Sequence, residues 1–302
     1  MAKGKNLFFK TALIVLPIYF IFLVDDYFNF DDHGVFKIIE DRKKFFQESN
    51  EVNSIIIGGS NALWGISARQ FNALSKKESF YNLAMHSNGV NYKNYFEYIL
   101  ETLEPIENES IELIIWSTIH TYLEPPYNDF DRDIAGRLRL SKLIPNQSLL
   151  SKIYKNAVNQ ESLHFTVNPN SGDFLFNNFK CPLSDSNYLD KELIQAVSNE
   201  NYHFAPFGAL KKQIEIYKDF FRSNFPNAKV VFTVPSVLNP PKISLDELEF
   251  LNKTFNEKNY YLLIQKPIQD INYLCESSHH PNYIGRKIRT EEIYEFLIQN
   301  DL

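Results

Sequence analysis

The chain has 302 residues, a formal net charge of −6 and only ten glycines, roughly half the glycine share usual at this length. Its 44% hydrophobic and 15% aromatic content excludes a disordered chain, and the acidic balance gives no electrostatic reason to expect a nucleic-acid partner. The two cysteines, Cys181 and Cys275, are too few for a disulfide scaffold and too far apart for a metal-ligand pair, while one bridge between them fits an oxidising compartment.

In chain order, the first feature is apolar. Thr11 to Val24 carries no charge, and Leu7-Phe8-Phe9 extends the run past Lys10. That length suits a membrane span if Lys10 snorkels toward the headgroups. Lys3, Lys5 and Lys10 on one flank, and Asp25 and Asp26 on the other, orient it with the N-terminus in the cytoplasm. Bulky and acidic residues follow where a signal peptidase would need small ones. Residues 1–26 are therefore expected to be an uncleaved anchor in the inner membrane, with everything beyond them extracytoplasmic, in the periplasm. The competing reading is a buried first helix of a cytosolic domain. Residues 27–53 read as a stalk and an amphipathic helix (VFKIIEDRKKFFQ).

From residue 54 to 302 the pattern alternates. Short apolar, β-branched runs at 54–59, 79–85, 111–118, 228–235 and 259–265 predict strands. Helical patterns fill 90–104, 208–224 and 244–257, and a last helix runs from about Ile284 to Gln299. Strands of this kind, alternating with helices, predict an α/β domain with a mainly parallel sheet. Residues 121–205 break the rhythm with Asn, Ser, Asp and Pro, and are expected to form an inserted cap. Its aromatics, Phe174 and Phe176 among them, are candidates either for stacking on sugar rings or for the cap's own core.

Two places can carry chemistry. Ser60 follows a buried strand and the pair Gly58-Gly59, at the strand's carboxyl end, where open α/β sheets place their ligands. A nucleophile there gains from amides that point at an incoming oxyanion. The second place is Glu276-Ser277-Ser278-His279-His280-Pro281-Asn282, just before the last helix. Pro281 restrains the backbone so that the loop can hold a histidine across from another strand end. Scattered histidines and the absence of Gly-x-Gly-x-x-Gly or P-loop patterns predict no metal and no cofactor. Arg286, Lys287 and Arg289 read either as a reception for an anionic glycan or as a solvated helix face.

GGSNALWGIS (58–67), NLAMHSNG (82–89) and HPNYIG (280–285) resemble the first, second and last blocks of the SGNH, or GDSL-like, hydrolase superfamily. The variant with an anchor resembles periplasmic proteins that O-acetylate surface polysaccharides. The resemblance implies a three-layer α/β/α, flavodoxin-like domain. It implies Ser60 as nucleophile, His280 as general base, and the amides of Ser60 and Gly89 as oxyanion donors. Three departures accompany it. Ser277 stands where the family carries its acid, leaving Glu276, with Asp270 or a Ser-His dyad as alternatives and His279 as an alternative base. Ser117, Thr118, Ile119 and His120 stand where an oxyanion asparagine is usual, so Thr118, with His120 as the alternative, is the candidate substitute donor, against a buried structural role for either. Gly89 falls two residues late, with Ser87 or Asn88 as alternative sources of that amide.

The expected function is acyl transfer, with acetyl favoured, to or from hydroxyls of a surface polysaccharide through an acyl-serine. The expected partners are that polysaccharide and a multispanning acyl-donor protein in the same membrane. The alternatives are a periplasmic carbohydrate esterase with the same site, and an inactive SGNH-like scaffold or glycan binder.

Overall fold

The computed structural model describes residues 35–48, 51–75, 79–85, 92–106, 108–117, 166–176, 207–238, 240, 242–255, 257–275 and 279–302. By its contacts the chain divides into two units, Met1–Glu40 with Asp133–Thr166, and Asp41–Arg132 with Val167–Leu302. The second contains the sheet. Of the first, the described part is the opening of a helix, α1 (Val35–Glu48), and Thr166. Among the described residues no helix is long and apolar enough to cross a membrane; the expected anchor, 1–26, lies outside them.

Five strands form one sheet: β1 (Ser54–Gly58), β2 (Phe80–Asn82), β3 (Leu113–Ser117), β4 (Lys229–Val234) and β5 (Tyr260–Ile264). Their order is β2-β1-β3-β4-β5 and every pairing is parallel. All five predicted strands are present, each trimmed by a residue or more at its ends. The burial explains the composition: Ile55, Ile56 and Ile57 are all inaccessible to solvent. A parallel strand covered on both faces needs a continuous apolar run rather than an alternating one.

Two short helices that the sequence pattern does not predict follow β1: α2 (Ser60–Gly65) and α3 (Ala68–Leu74). The rest are α4 (Tyr92–Leu103), α5 (Phe207–Asn224), α6 (Leu245–Phe255) and α7 (Tyr283–Gln299). They fall into two packing groups. Helix α7 lies against α2 and α3, where Thr290 accepts a hydrogen bond from the Ser67 amide at 3.0 Å. Helix α5 stacks Phe220 on Phe96 of α4, and Phe207 on Phe250 of α6. Right-handed crossovers produce this division when the chain reverses direction across the sheet, as it does at β1.

The end of α1 belongs to the sheet unit. Phe45 and Phe46 pack on Tyr81 of β2, with ring centroids 4.5 and 4.9 Å away. Arg42, one turn earlier, is fully buried. Its guanidinium donates to the Tyr98 hydroxyl and to the carbonyls of Ala84 and Gly172. This charge-assisted set holds the exit of β2 to the segment 167–176.

Candidate active site

The reversal of strand order between β1 and β3 opens a crevice at their carboxyl ends, the place where open α/β sheets bind ligands. Ser60 stands there, half-buried, as the first residue of α2. The turn before it is tight. Gly58 pairs with Ser117 across the sheet and has φ +138°, and a Cβ on it would lie 1.8 Å from the Ser117 carbonyl oxygen. Both the backbone angle and the space demand glycine. The Gly59 amide then donates to that same carbonyl at 3.2 Å, and the Gly58 amide donates to the Tyr95 hydroxyl at 2.8 Å. Tyr95 is wholly buried, and burial pushes its hydroxyl well above the ordinary tyrosine range.

Asn61, beside the serine, donates to the Ser117 hydroxyl at 2.8 Å. Asn82 at the end of β2 donates to the Ile66 carbonyl at 3.0 Å and accepts from the Ala84 amide. Together these tie α2 to the ends of β3 and β2, while the chain itself joins it to β1.

His280 reaches this point from the other end of the chain. It is 5% exposed, and its Nε2 lies 2.7 Å from the Ser60 hydroxyl oxygen. The loop carrying it is held on both sides: the Cys275 amide donates to the His280 carbonyl, and Leu274 pairs with Pro281. Asn282 is fully buried and accepts from the amides of Ile284 and Gly285, capping α7, while its amide group donates to the carbonyl of Asn272 at 2.6 Å. The imidazole lies flat on the Trp64 indole, with centroids 5.0 Å apart and an interplanar angle of 6°. His279 meets the same imidazole edge-on at 4.3 Å.

The segment 167–176 completes the surroundings. Asp173 accepts from the Ser67 hydroxyl and from the amides of Ala68 and Arg69, at 2.7–2.9 Å, closing the amino end of α3. Phe174 stacks on Trp64 at 4.2 Å, and Phe176 meets its edge at 5.9 Å. These two aromatics pack on the helix that carries Ser60, while most of the expected cap, 121–165 and 177–205, lies outside the described residues.

Arg286 donates to the Phe174 carbonyl and covers the Phe176 ring. Burial holds its pKa below the usual arginine value, against the pull of Asp173. Arg289 is 2% exposed and bonds Gln265. Of the three, Arg289 is therefore buried and Arg286 half-buried, and Lys287 stands at the surface, paired with Glu291.

The structure therefore brings Ser60 and His280 into contact and places His279 beside them. Asp270 caps the 3-10 turn Ile271–Tyr273 through the Asn272 amide. Glu276, Gly89, Thr118 and His120 lie outside the described residues. Cys275 is disulfide-bonded, and the sequence has one other cysteine, Cys181, also outside them. Trp64, Tyr95, Asp173 and Arg42 were not singled out by sequence reasoning. The rarity of tryptophan, two residues in so aromatic a chain, was the one available signal. Among the described residues no cluster of His, Cys, Asp and Glu has metal-holding geometry. A cleft of about 840 Å³, lined by Phe80, Glu112, Leu113, Lys229 and Tyr294 among others, lies at the amino ends of the strands, away from Ser60.

No family model and no curated protein sequence matches the chain. Solved structures do. An active-site mutant of a family two carbohydrate esterase from Clostridium thermocellum matches at 14% identity and TM-score 0.34, over 83% of this chain and 64% of that one. The chain thus spans just under two thirds of the esterase's length. A Streptococcus pneumonia protein described as a platelet activating factor matches at 12% identity and TM-score 0.34, over 93% and 99% of the two chains. The chemistry is accordingly read from Ser60 and His280 themselves.

Proposed function

We propose that the chain is an SGNH-type serine enzyme that moves acyl groups, acetyl foremost, on hydroxyls of a surface carbohydrate. One observation carries this: the 2.7 Å contact between His280 Nε2 and Ser60 Oγ at the switch point of a parallel sheet. A serine hydroxyl is a weak nucleophile until a base within hydrogen-bond reach can take its proton.

In the proposed reaction His280 accepts that proton as Ser60 Oγ attacks the acyl carbon. The tetrahedral oxyanion is held by amides at the start of α2, Ser60's own included, which have no acceptor inside a helix. Gly89 and Thr118 are the proposed further donors, and Glu276 the proposed partner of His280. Collapse breaks the ester bond, and the leaving alcohol takes the proton from His280. Water or a sugar hydroxyl then attacks the acyl-serine, losing its proton to His280, which returns it to Ser60. Water gives an esterase, a sugar hydroxyl a transferase, and transfer is our preferred outcome. The proposed setting is periplasmic, tethered by 1–26 beside a multispanning acyl donor. The disulfide at Cys275 supports an oxidising compartment.

A fluorophosphonate probe tests the core of the reading. It is expected to label the wild-type chain and to spare Ser60→Ala; label retained in the variant overturns the nucleophile. Turnover of a chromogenic acetyl ester, with and without an oligosaccharide acceptor, then separates transferase from esterase.

A further inference from the structure

We propose that Trp64 is a positioning residue for His280, holding the imidazole flat at Ser60 and stabilising the imidazolium formed when it takes the serine proton. This rests on the acyl-serine reading above.

The spacing is the first support. Ser60 and Trp64 stand four apart in α2, so their side chains share one helix face. A ring lying on the indole can therefore turn its edge to the serine hydroxyl. The observed geometry has that form, with near-parallel rings 5.0 Å apart and Nε2 at 2.7 Å from Ser60 Oγ.

The chemistry is the second support. A cation over the face of an indole within about 6 Å is attracted by the ring quadrupole, and tryptophan is the strongest of the aromatic partners. His280 becomes a cation only as the reaction proceeds, so the attraction grows toward the transition state and acts on kcat rather than on substrate binding. Trp64 is fully buried, which keeps water from screening the contact. Its own position is set by Phe174, whose ring stacks on the indole. Phe174 is in turn anchored at its carbonyl by Arg286 and follows Asp173 in the chain.

Around the imidazole, the described titratable neighbours are His279 in edge contact and Ser60. The pair Asp173 and Arg286 comes next, around Phe174.

The experiment has two arms on the full chain. In the first, tryptophan fluorescence is titrated from pH 8.5 to 5. Protonation of an imidazole stacked on an indole quenches it, so a quench is expected in wild type and lost in His280→Gln. In the second, acetyl-ester kinetics compare wild type with Trp64→Phe and Trp64→Leu. Expected kcat falls about threefold in the phenylalanine variant and about tenfold or more in the leucine variant, with KM within about twofold. The acidic limb of kcat/KM moves down by about 0.5 to 1 pH unit in Trp64→Leu.

Should Trp64→Leu fail to fold, Trp64→Phe and the wild-type titration still decide. A quench that survives His280→Gln, or Trp64 variants with wild-type kcat and an unmoved limb, overturns the proposal while leaving the enzyme reading intact. A wild-type chain that takes no fluorophosphonate label overturns the enzyme reading, and this role falls with it.

Discussion

The two partners in the Ser60–His280 contact are held by different kinds of force. On the serine side, main chain holds main chain: β1 lies between two strands, Gly59 bonds the Ser117 carbonyl, and Gly58 leaves no room for a side chain. On the histidine side, a loop outside the five strands is held by a few main-chain bonds, from Cys275 to His280 and between Leu274 and Pro281, together with the side chains of Asn282 in the loop and Trp64 beneath the ring. Main-chain contacts within a sheet are insensitive to sequence except where a Cβ intrudes. Side-chain contacts can be removed one at a time. The serine side should therefore fail abruptly, and the histidine side by degrees.

The largest expected effect lies on the serine side. Gly58→Ala combines a disfavoured φ with a clash against the Ser117 carbonyl, and is expected to cost about 3–5 kcal/mol of stability or to prevent folding. Chemical denaturation reads this directly; a loss below about 1 kcal/mol would show that the turn has slack.

Next comes Asn282→Ala on the histidine side. It removes a cap that serves two amides of α7 and the bond to the Asn272 carbonyl. The expected cost is about 2–3 kcal/mol, with the sheet intact by circular dichroism and turnover reduced further than stability alone explains. Turnover unchanged under folding conditions would mean that the loop keeps His280 in place without the cap.

The smallest effect sharpens the comparison by testing a side chain that the serine turn does use. Tyr95→Phe leaves the Gly58 amide without its acceptor and is expected to cost about 1–2 kcal/mol at pH 7. Burial raises the folded-state pKa of Tyr95. Below about pH 10, the ordinary tyrosine value, both states hold the proton and stability is flat in this group. Above it the unfolded chain releases a proton that the folded chain keeps, so stability falls as pH rises toward the folded pKa. Denaturation midpoints followed from pH 9 to 11 are expected to fall less steeply in Tyr95→Phe than in wild type. Some slope remains, because burial raises Tyr81 in the same direction; equal slopes would place the alkaline sensitivity elsewhere.

The strands were legible because a buried parallel strand must be written in consecutive apolar residues, as SIIIG and KVVFTV are. Helices α2 and α3 were not, since six and seven residues give less than two turns of periodicity, and Gly65 and Ile66 interrupt the run. Ser60 and His280 could be picked out singly by what precedes and follows each. Their meeting depends on strand order, which no local pattern encodes. Asp173 and Arg42 were invisible for a related reason: each bonds two main-chain groups distant in sequence, and a carbonyl or an amide carries no signature in the residue that owns it. Arg289 misled because a buried arginine looks, in sequence, like one facing water.

Ser60 and His280 are 220 residues apart, one just past the first strand and the other just before the last helix. During synthesis the serine is therefore present throughout the making of the intervening chain with no His280 to activate it. The nascent polypeptide, and any fragment ending before residue 280, is chemically silent in this proposed role. Reactivity arrives only when the loop that carries His280 has docked beside Ser60, so that closing this part of the fold and arming the serine become a single event.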